Sequence, residues 1–289
     1  MSGKMKNTAV LLLSTPMALA RKGVVAAIAE FLVAHNGSIL HSDDHLDSER
    51  DLFLSRLEWD LEGFDIPISD FDHHFKPLAE PFRIKYHLAM TDYRPKIAIL
   101  VSAYTHCLAD LLYRHSTGDL ACEIIAIVSN HPTAKPMADF YRIPFHLLTN
   151  PNDKRLSERE MLELLGQDVD LIVLARYMQI LGADFVAQYL LRMINIHHSF
   201  LPSFIGAKPY HQAFERGVKL IGASSHYVTA TLDEGPIIEQ DVVRVTHRDT
   251  VEDMVSKGRD LERVVLSRAV RWHLENRILV YQNKTVVFA

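Results

Sequence analysis

Apolar residues in the first ninety positions change period several times, and each change predicts an element. The run AVLLLS at 9–14 is short and continuous, as a buried strand requires. Val25, Ile28, Phe31 and Leu32 then recur at helical spacing within 22–35, and Gly37 fits the helix stop. Two strands are predicted at 38–46 and 51–60, the second carrying Leu52 and Leu54 and then Leu57 and Trp59, with a turn at Asp47 to Asp51. Ser69 is placed to cap a second helix running to Ala79, and a strand at 82–88 completes a βαββαβ order.

Residues 88–96, LAMTDYRPK, are polar with one proline and read as a linker. The predicted division is therefore a first domain over 1–88, a connection over 89–95 and a second domain over 96–289. From Lys96 onward strands and helices alternate. The runs IAILVS, CEIIAIVSN, FHLLT, DLIVLA and MINIH are separated by helical stretches, as a doubly wound, mostly parallel sheet of the α/β class requires. Strands near 220–231 and 236–246 flank a turn, TLDEGP, and read as a hairpin. A long helix begins at Thr250, with Asp253 three residues on as an acidic capping box, and Met254, Leu261, Val264 and Val265 form its apolar face. The closing VYQNKTVVF reads as an edge hairpin turning at Asn283 and Lys284.

Composition narrows the class without changing this picture. A chain of 289 residues, 48 % hydrophobic and 23 % charged, fits two modest globular domains. Its formal net charge of −5, with no basic patch interleaved with aromatics, argues against a nucleic-acid partner. Cys107 and Cys122 supply neither a disulfide framework nor a four-cysteine zinc site, which points to a reducing compartment. Lys4, Lys6 and Ala18-Leu19-Ala20 imitate a secretory signal, but AVLLL is too short an apolar core for one. No stretch approaches the roughly 18 apolar residues of a membrane span. A soluble, cytoplasmic protein with no membrane partner is expected.

Chemistry concentrates in MINIHHSFLPSF at 193–204. Asn195 and His197 lie two apart on a strand and project to the same side. An amide and an imidazole inside an apolar run need partners or a function, because buried polar groups without partners cost stability. The run breaks at Ser199 and Pro202, so both groups stand at the carboxyl end of a strand, where open α/β sheets place ligands. Asp233 follows in the TLDEGP turn, which Gly235 and Pro236 bend. Taken singly, a strand histidine is most often a satisfied core residue, and an Asp-Glu-Gly-Pro turn is most often only a turn.

The order N-I-H-x-S-x-L-P-S-F followed by L-D-x-G-P resembles the folate-dependent formyltransferase fold, and Asn195, His197 and Asp233 fall on its catalytic Asn, His and Asp. The longer form INIHHSFLPSFIGAKPY, together with LARYMQIL at 174–181, resembles the hydrolytic branch of that group, the formyltetrahydrofolate deformylases. The amino-terminal part is similar to an ACT domain, which implies a ferredoxin-like half-domain with the βαββαβ order predicted above. ACT domains often bind an amino acid at an Asp-x-x-Gly loop. The corresponding loop here, TPMALARKG, has no Asp, so the regulatory ligand is left open and subunit pairing is the remaining role.

The resemblance implies hydrolysis of 10-formyltetrahydrofolate, the substrate and folate partner, to tetrahydrofolate and formate, with no cofactor. Asn195 and His197 would stabilise a tetrahedral oxyanion, and Asp233 would relay the proton, directly or through a water. It also implies that Met178, Gln179, Ile180 and Leu181 hold the pterin through backbone groups. Lys208 and Tyr210 are near enough in sequence to line the mouth, with Thr231 and Gly235 beside Asp233 as further substrate contacts. Related glycinamide ribonucleotide transformylases hold a phosphate on a glycine-rich turn; residues 102–107, SAYTHC, have no glycine, which favours water as nucleophile. Formyl transfer to an amine such as glycinamide ribonucleotide, and a non-enzymatic small-ligand sensor, are the competing readings.

Sixteen histidines raise the question of a metal, but no H-E-x-x-H occurs and no set of three or four ligands is expected to converge. No metal is predicted. His197 and His198 should face opposite ways, and His106 and Cys107 read as structural residues of a helix. Unpaired sheet edges in a βαββαβ domain predict a homo-oligomer, a dimer or tetramer.

Overall fold

The computed structural model describes residues 7–21, 23–203 and 209–288, so the expected Lys208 contact lies outside the described residues. The chain divides into two compact units: Met1–Tyr93 with Glu275–Leu279 and Val286–Ala289, and Arg94–Leu274 with Val280–Thr285.

The first unit shows the predicted βαββαβ order. Strand β1 (Thr8–Pro16) leads through a short helix α1 (Met17–Ala20) into α2 (Val24–Ala34), β2 (Ser38–Asp47), β3 (Leu52–Asp60), α3 (Phe71–Phe82) and β4 (Lys85–Met90). The antiparallel sheet runs β2-β3-β1-β4. β1 is central and buried on both faces, which explains its unbroken apolar run: Ala9, Leu11 and Leu13 face the helices while Val10 and Leu12 are buried behind. Each fully buried leucine contributes about 1.5 to 3 kcal/mol relative to exposure.

Several local expectations shift. The buried stripe of α2 is Val24, Ile28 and Leu32, and Val25 is exposed. On β3 the core face carries Phe53, Leu57 and Trp59, whereas Leu54 is buried on the opposite face. Ser69 lies in a 3-10 turn before α3 and makes no cap bond. α3 runs past Ala79 because Phe71, Phe75 and Ala79 are buried along one side, and it stops where Arg83 turns left-handed at φ 54°. The strand expected at 82–88 therefore sits at Lys85–Met90, and Leu88, Ala89 and Met90 belong to β4 rather than to a linker. The continuous 96–289 division also gives way. Arg56 Nε on β3 donates to the Asn276 carbonyl at 3.0 Å, which ties the segment after the last helix to the first unit.

The second unit alternates β5 (Lys96–Val101), α4 (His106–Thr117), β6 (Glu123–Ser129), α5 (Lys135–Tyr141), β7 (Phe145–Leu147), α6 (Lys154–Leu165), β8 (Leu171–Leu174), α7 (Ala183–Gln188) and β9 (Met193–His197). Then come α8 (Pro209–Arg216), β10 (Leu220–Tyr227), β11 (Ile237–Arg244), α9 (Val251–Leu274), β12 (Ile278–Tyr281) and β13 (Lys284–Val287). The seven-stranded sheet runs β11-β10-β9-β8-β5-β6-β7. Its five strands from β9 to β7 are parallel, and β10 and β11 continue antiparallel as the expected hairpin.

The capping box before α9 forms in both directions. Asp253 N donates to Thr250 Oγ1 at 3.2 Å, and Thr250 N donates to Asp253 Oδ2 at 2.9 Å. The buried stripe of α9 runs through Met254, Gly258, Glu262, Val265 and Ala269, and Leu261 and Val264 are only partly buried. The closing hairpin forms its own two-stranded sheet and turns at Gln282 and Asn283, with Lys284 already in β13.

Candidate active site

The order of the large sheet reverses between β5 and β8, since β6 and β7 lie to one side of β5 and β8 and β9 to the other. Chains leaving the carboxyl ends of such neighbours diverge and open a crevice. Here the two leaving segments are stitched together: Ser102 N donates to the Arg176 carbonyl at 3.3 Å, and Met178 N donates to Ser102 Oγ at 2.9 Å. Beside them lies a cavity of about 360 Å³. Its walls come from residues 176–181 after β8, Asn195 to His198 at the end of β9, His226 on β10, and residues 228–233 before β11.

Asn195 and His197 reach this cavity as the strand period requires. β10 pairs antiparallel with β9 and sets His226 directly opposite Asn195. His226 Nδ1 lies 2.9 Å from the Tyr227 carbonyl, a pure acceptor, so that nitrogen carries the hydrogen. Nε2 of the same ring lies 3.3 Å from Asn195 Nδ2. The Asn195 amide is thereby oriented, with its second N–H left for the cavity.

Asp233 arrives from the loop between β10 and β11 with φ 56°, a left-handed position that aspartate tolerates better than most residues. Two neighbours hold the loop. Gly235 packs so tightly on the Tyr227 carbonyl that an added Cβ would stand 1.7 Å from its oxygen. Asn283 Nδ2 donates to the Glu234 carbonyl at 2.9 Å. So placed, Asp233 Oδ2 lies 3.2 Å from His197 Nδ1 and Oδ1 lies 3.6 Å from His226 Nε2. Burial alone would raise the Asp233 carboxyl, but the hydrogen bonds and charges of His197 and His226 hold it well below the usual carboxylate range. The other His197 ring nitrogen, Nε2, is buried with no hydrogen-bond partner among the described residues.

Met178, Gln179, Ile180, Leu181 and Thr231 also line the cavity, and Met178 and Ile180 are 51 % and 61 % exposed, so they form its mouth. Gly235 does not line it; its part is the close packing that seats Asp233. Tyr210 does not line it either. It is buried, its hydroxyl donates to Glu262 Oε1 at 2.9 Å, and burial beside that carboxylate pushes its pKa far up. His198 was expected to face away from His197. β9 ends at His197, so alternation stops there; both rings line the cavity with centroids 5.2 Å apart. Burial, then the Arg176 and His197 charges, lower His198 to about 4, so it is neutral at pH 7.

Two groups went unread in the sequence. His226 sits in SSHY, an ordinary-looking strand end, and only its pairing with Asn195 gives it meaning. Glu262 had a signal, a carboxylate on the apolar stripe of α9, four residues after Gly258. Its oxygens take His106 Nε2 at 2.7 Å and the Tyr210 hydroxyl, with Arg176 Nε 3.4 Å away. Gly258 is what admits Tyr210, since a Cβ there would lie 2.0 Å from its hydroxyl. The same cluster corrects the expectation that no three ligands converge: donor atoms of His106, Cys107 and Glu262 lie within 4.8 Å of one another. They do not fit a cation. Glu262 is already spent on three partners, the Arg176 guanidinium repels positive charge, and burial, then the Glu262 charge, raise the Cys107 thiol well above its ordinary value.

A family model described as formyl transferase matches residues 95–270. A formyltetrahydrofolate deformylase of Synechocystis sp. is 53 % identical over 284 residues, 98 % of this chain and 99 % of the relative. That of Bacillus subtilis is 49 % identical over 269 residues, 92 % and 90 % of the two chains. The crystal structure of a formyltetrahydrofolate deformylase from Pseudomonas syringae pv. tomato superposes with a TM-score of 0.95 at 44 % identity, over 100 % of this chain and 96 % of that one. Because identity of this order spans both units and not only the formyl transferase region, the chain belongs to the formyltetrahydrofolate deformylase family.

Proposed function

We propose that this chain hydrolyses 10-formyltetrahydrofolate to tetrahydrofolate and formate, and that Asn195, His197 and Asp233 carry the reaction. The observation that supports these roles is the polarised state of His197, a residue of the cavity wall: Nδ1 is held on an ionised, buried carboxylate while Nε2 is buried with no partner among the described residues. The folate stacks its pterin along residues 178–181 and presents its formyl group inward.

Water attacks the formyl carbon, a C–O bond forms, and the carbonyl oxygen becomes an oxyanion. The free Asn195 N–H and the Nε2–H of protonated His197 donate to it. Asp233 stabilises the imidazolium and passes a proton from the attacking water towards the folate nitrogen, directly or through a second water. The C–N bond then breaks as that nitrogen takes the proton. Formic acid leaves and ionises to formate. Every group used is a side chain, so no cofactor or metal enters.

Transfer to an amine would need room for a second substrate beyond β5. The loop there carries side chains rather than glycines: Tyr104 faces the Arg176 guanidinium with 5.5 Å to the ring centroid, and His106 is engaged on Glu262. That crowding favours water. The first unit is read as ACT-like from its βαββαβ order, with α1 occupying the loop where an acidic residue would recognise an amino acid. Among the described residues its edge strands β2 and β4 have no strand partner on one side within their sheet, which supports assembly of a homodimer or tetramer. No helix among the described residues is long and apolar enough to cross a membrane, and a cytoplasmic location is the reading taken.

The deciding experiment incubates the chain with 10-formyltetrahydrofolate alone and follows formate. Release without an amine is expected. Release only after glycinamide ribonucleotide is added reverses the reading in favour of transfer, and no release under either condition leaves the sensor.

A further inference from the structure

The wall of the cavity at 178–181 is an irregular segment with almost no bonds of its own. Residues 175–182 form neither helix nor strand, and Met178, Gln179 and Ile180 are exposed. Among the described residues nothing hydrogen-bonds to the main chain of 179–181. A segment of this kind ordinarily samples several shapes, and a ligand that needs one of them must meet the cost of ordering it.

The fixtures lie at its two ends. At the entry Arg176 takes a left-handed step at φ 63°, its carbonyl accepts from Ser102 N at 3.3 Å, and Met178 N donates to Ser102 Oγ at 2.9 Å. Ser102 is 3 % exposed and directly follows β5, an interior strand of the large sheet, so its hydroxyl is a fixed point. At the exit Gly182 N donates to Glu158 Oε1 at 2.6 Å, and a charged acceptor makes this the stronger bond of the pair. The fit is close. An added Cβ at Gly182 would stand 2.9 Å from Glu158 Oε2. Inside these two points Tyr177 and Leu181 pack on the core cluster of the second unit. Neither polar bond belongs to a helix or to strand pairing, and neither Ser102 nor Glu158 lines the cavity. Both bonds act on this one segment.

We propose that Ser102 and Glu158 are positioning residues, which fix the two ends of 178–181 and thereby set the affinity of the cavity for the pterin ring. The proposal rests on the reading that the folate lies along this segment. By holding the main chain in its binding shape before the ligand arrives, the two side chains lower the ordering cost without touching the ligand.

The test titrates tetrahydrofolate into the full chain, which reads affinity without turnover, and measures KM and kcat with 10-formyltetrahydrofolate. Ser102→Ala and Glu158→Ala are each expected to raise the Kd about threefold to tenfold, the scale of one hydrogen bond. KM should follow, and kcat should fall less, because Asn195, His197 and Asp233 are carried by β9 and the loop before β11. Glu158→Gln keeps an oxygen acceptor and should restore most of the affinity. Gly182→Ala reads the same bond from the other side, since its Cβ displaces the Glu158 carboxylate, and should repeat the loss if Glu158→Ala folds poorly. A purely structural role would lower the thermal midpoint and leave the Kd where it was. An unchanged Kd in the Ala variants of a chain that binds tetrahydrofolate overturns the proposal, and formate release by the wild type then leaves the hydrolytic reading standing. A loss confined to kcat, or a Glu158→Gln variant as weak as Glu158→Ala, also overturns it. Failure of the wild type itself to bind tetrahydrofolate removes the folate reading and the proposal together.

Discussion

His197 Nδ1 stands 3.2 Å from Asp233 Oδ2, although the two residues belong to segments separated in sequence by α8 and β10. Strand β10 lies directly beside β9, and the loop that ends it folds Asp233 back over His197. The pair is thus a product of antiparallel pairing plus one tightly packed turn.

Asn195→Ala removes an oxyanion donor and leaves the strand intact. We expect kcat for formate release to fall about 10²- to 10³-fold. Thermal unfolding should barely move, since Asn195 lines the cavity rather than the core. A kcat within threefold of wild type would remove Asn195 from the chemistry.

Gly235→Ala pushes a Cβ into the Tyr227 carbonyl at 1.7 Å, so the loop must shift and carry Asp233 away from His197. The loss is expected in kcat, at least tenfold on the scale of misplaced catalytic groups. The KM for the folate should change less, because Gly235 does not line the cavity. Steady-state kinetics of the variant separates the two.

His198 titrates near 4 in the folded chain and near 6.5 when unfolded, so the unfolded state binds the extra proton first. A depressed folded pKa means that stability is fully present above the unfolded value and is lost as pH falls from about 6.5 towards 4. His198→Gln should abolish this component. Urea midpoints of the two proteins should therefore converge in favour of the variant across that interval, relative to their difference at pH 8.

Gly258→Ala places a Cβ 2.0 Å from the Tyr210 hydroxyl and must expel the ring from Glu262. Overpacking of this kind costs about 1 to 3 kcal/mol. Tyr210→Phe deletes only the hydrogen bond and should cost less. Denaturant titration ranks the two variants, and equal costs would mean that Gly258 is not a packing requirement.

Cys107 and Cys122 are both buried, and burial raises both thiols, Cys122 to about 12. Because the thiolate is the reactive form, an aromatic disulfide reagent at pH 8 should label neither in the native chain and both in urea.

How much of this could be read beforehand depends on the range of the interaction. The five parallel strands of the second unit, the capping box of Thr250 and Asp253, and the common projection of Asn195 and His197 follow from periods of two and 3.6 residues, which are local and survive any fold. Phase on an element was less legible. Phe53 rather than Leu54 faces the core of β3, and Glu262 rather than Leu261 lies on the buried stripe of α9, because a strand or helix buried on more than one side has no single apolar face to read.

The chain by itself determined the elements and their alternation, and through the Asn-x-His and Leu-Asp-x-Gly-Pro segments it determined the family. Only the tertiary structure decided that His226 orients Asn195, that Tyr210 serves Glu262 rather than the mouth, and that Arg176 is buried beside Glu262. Each of these is a pairing between residues distant in sequence. Such pairings depend on which strand lies beside which and on what a helix buries against the sheet, and those choices are made by packing, to which the spacing along the chain is blind.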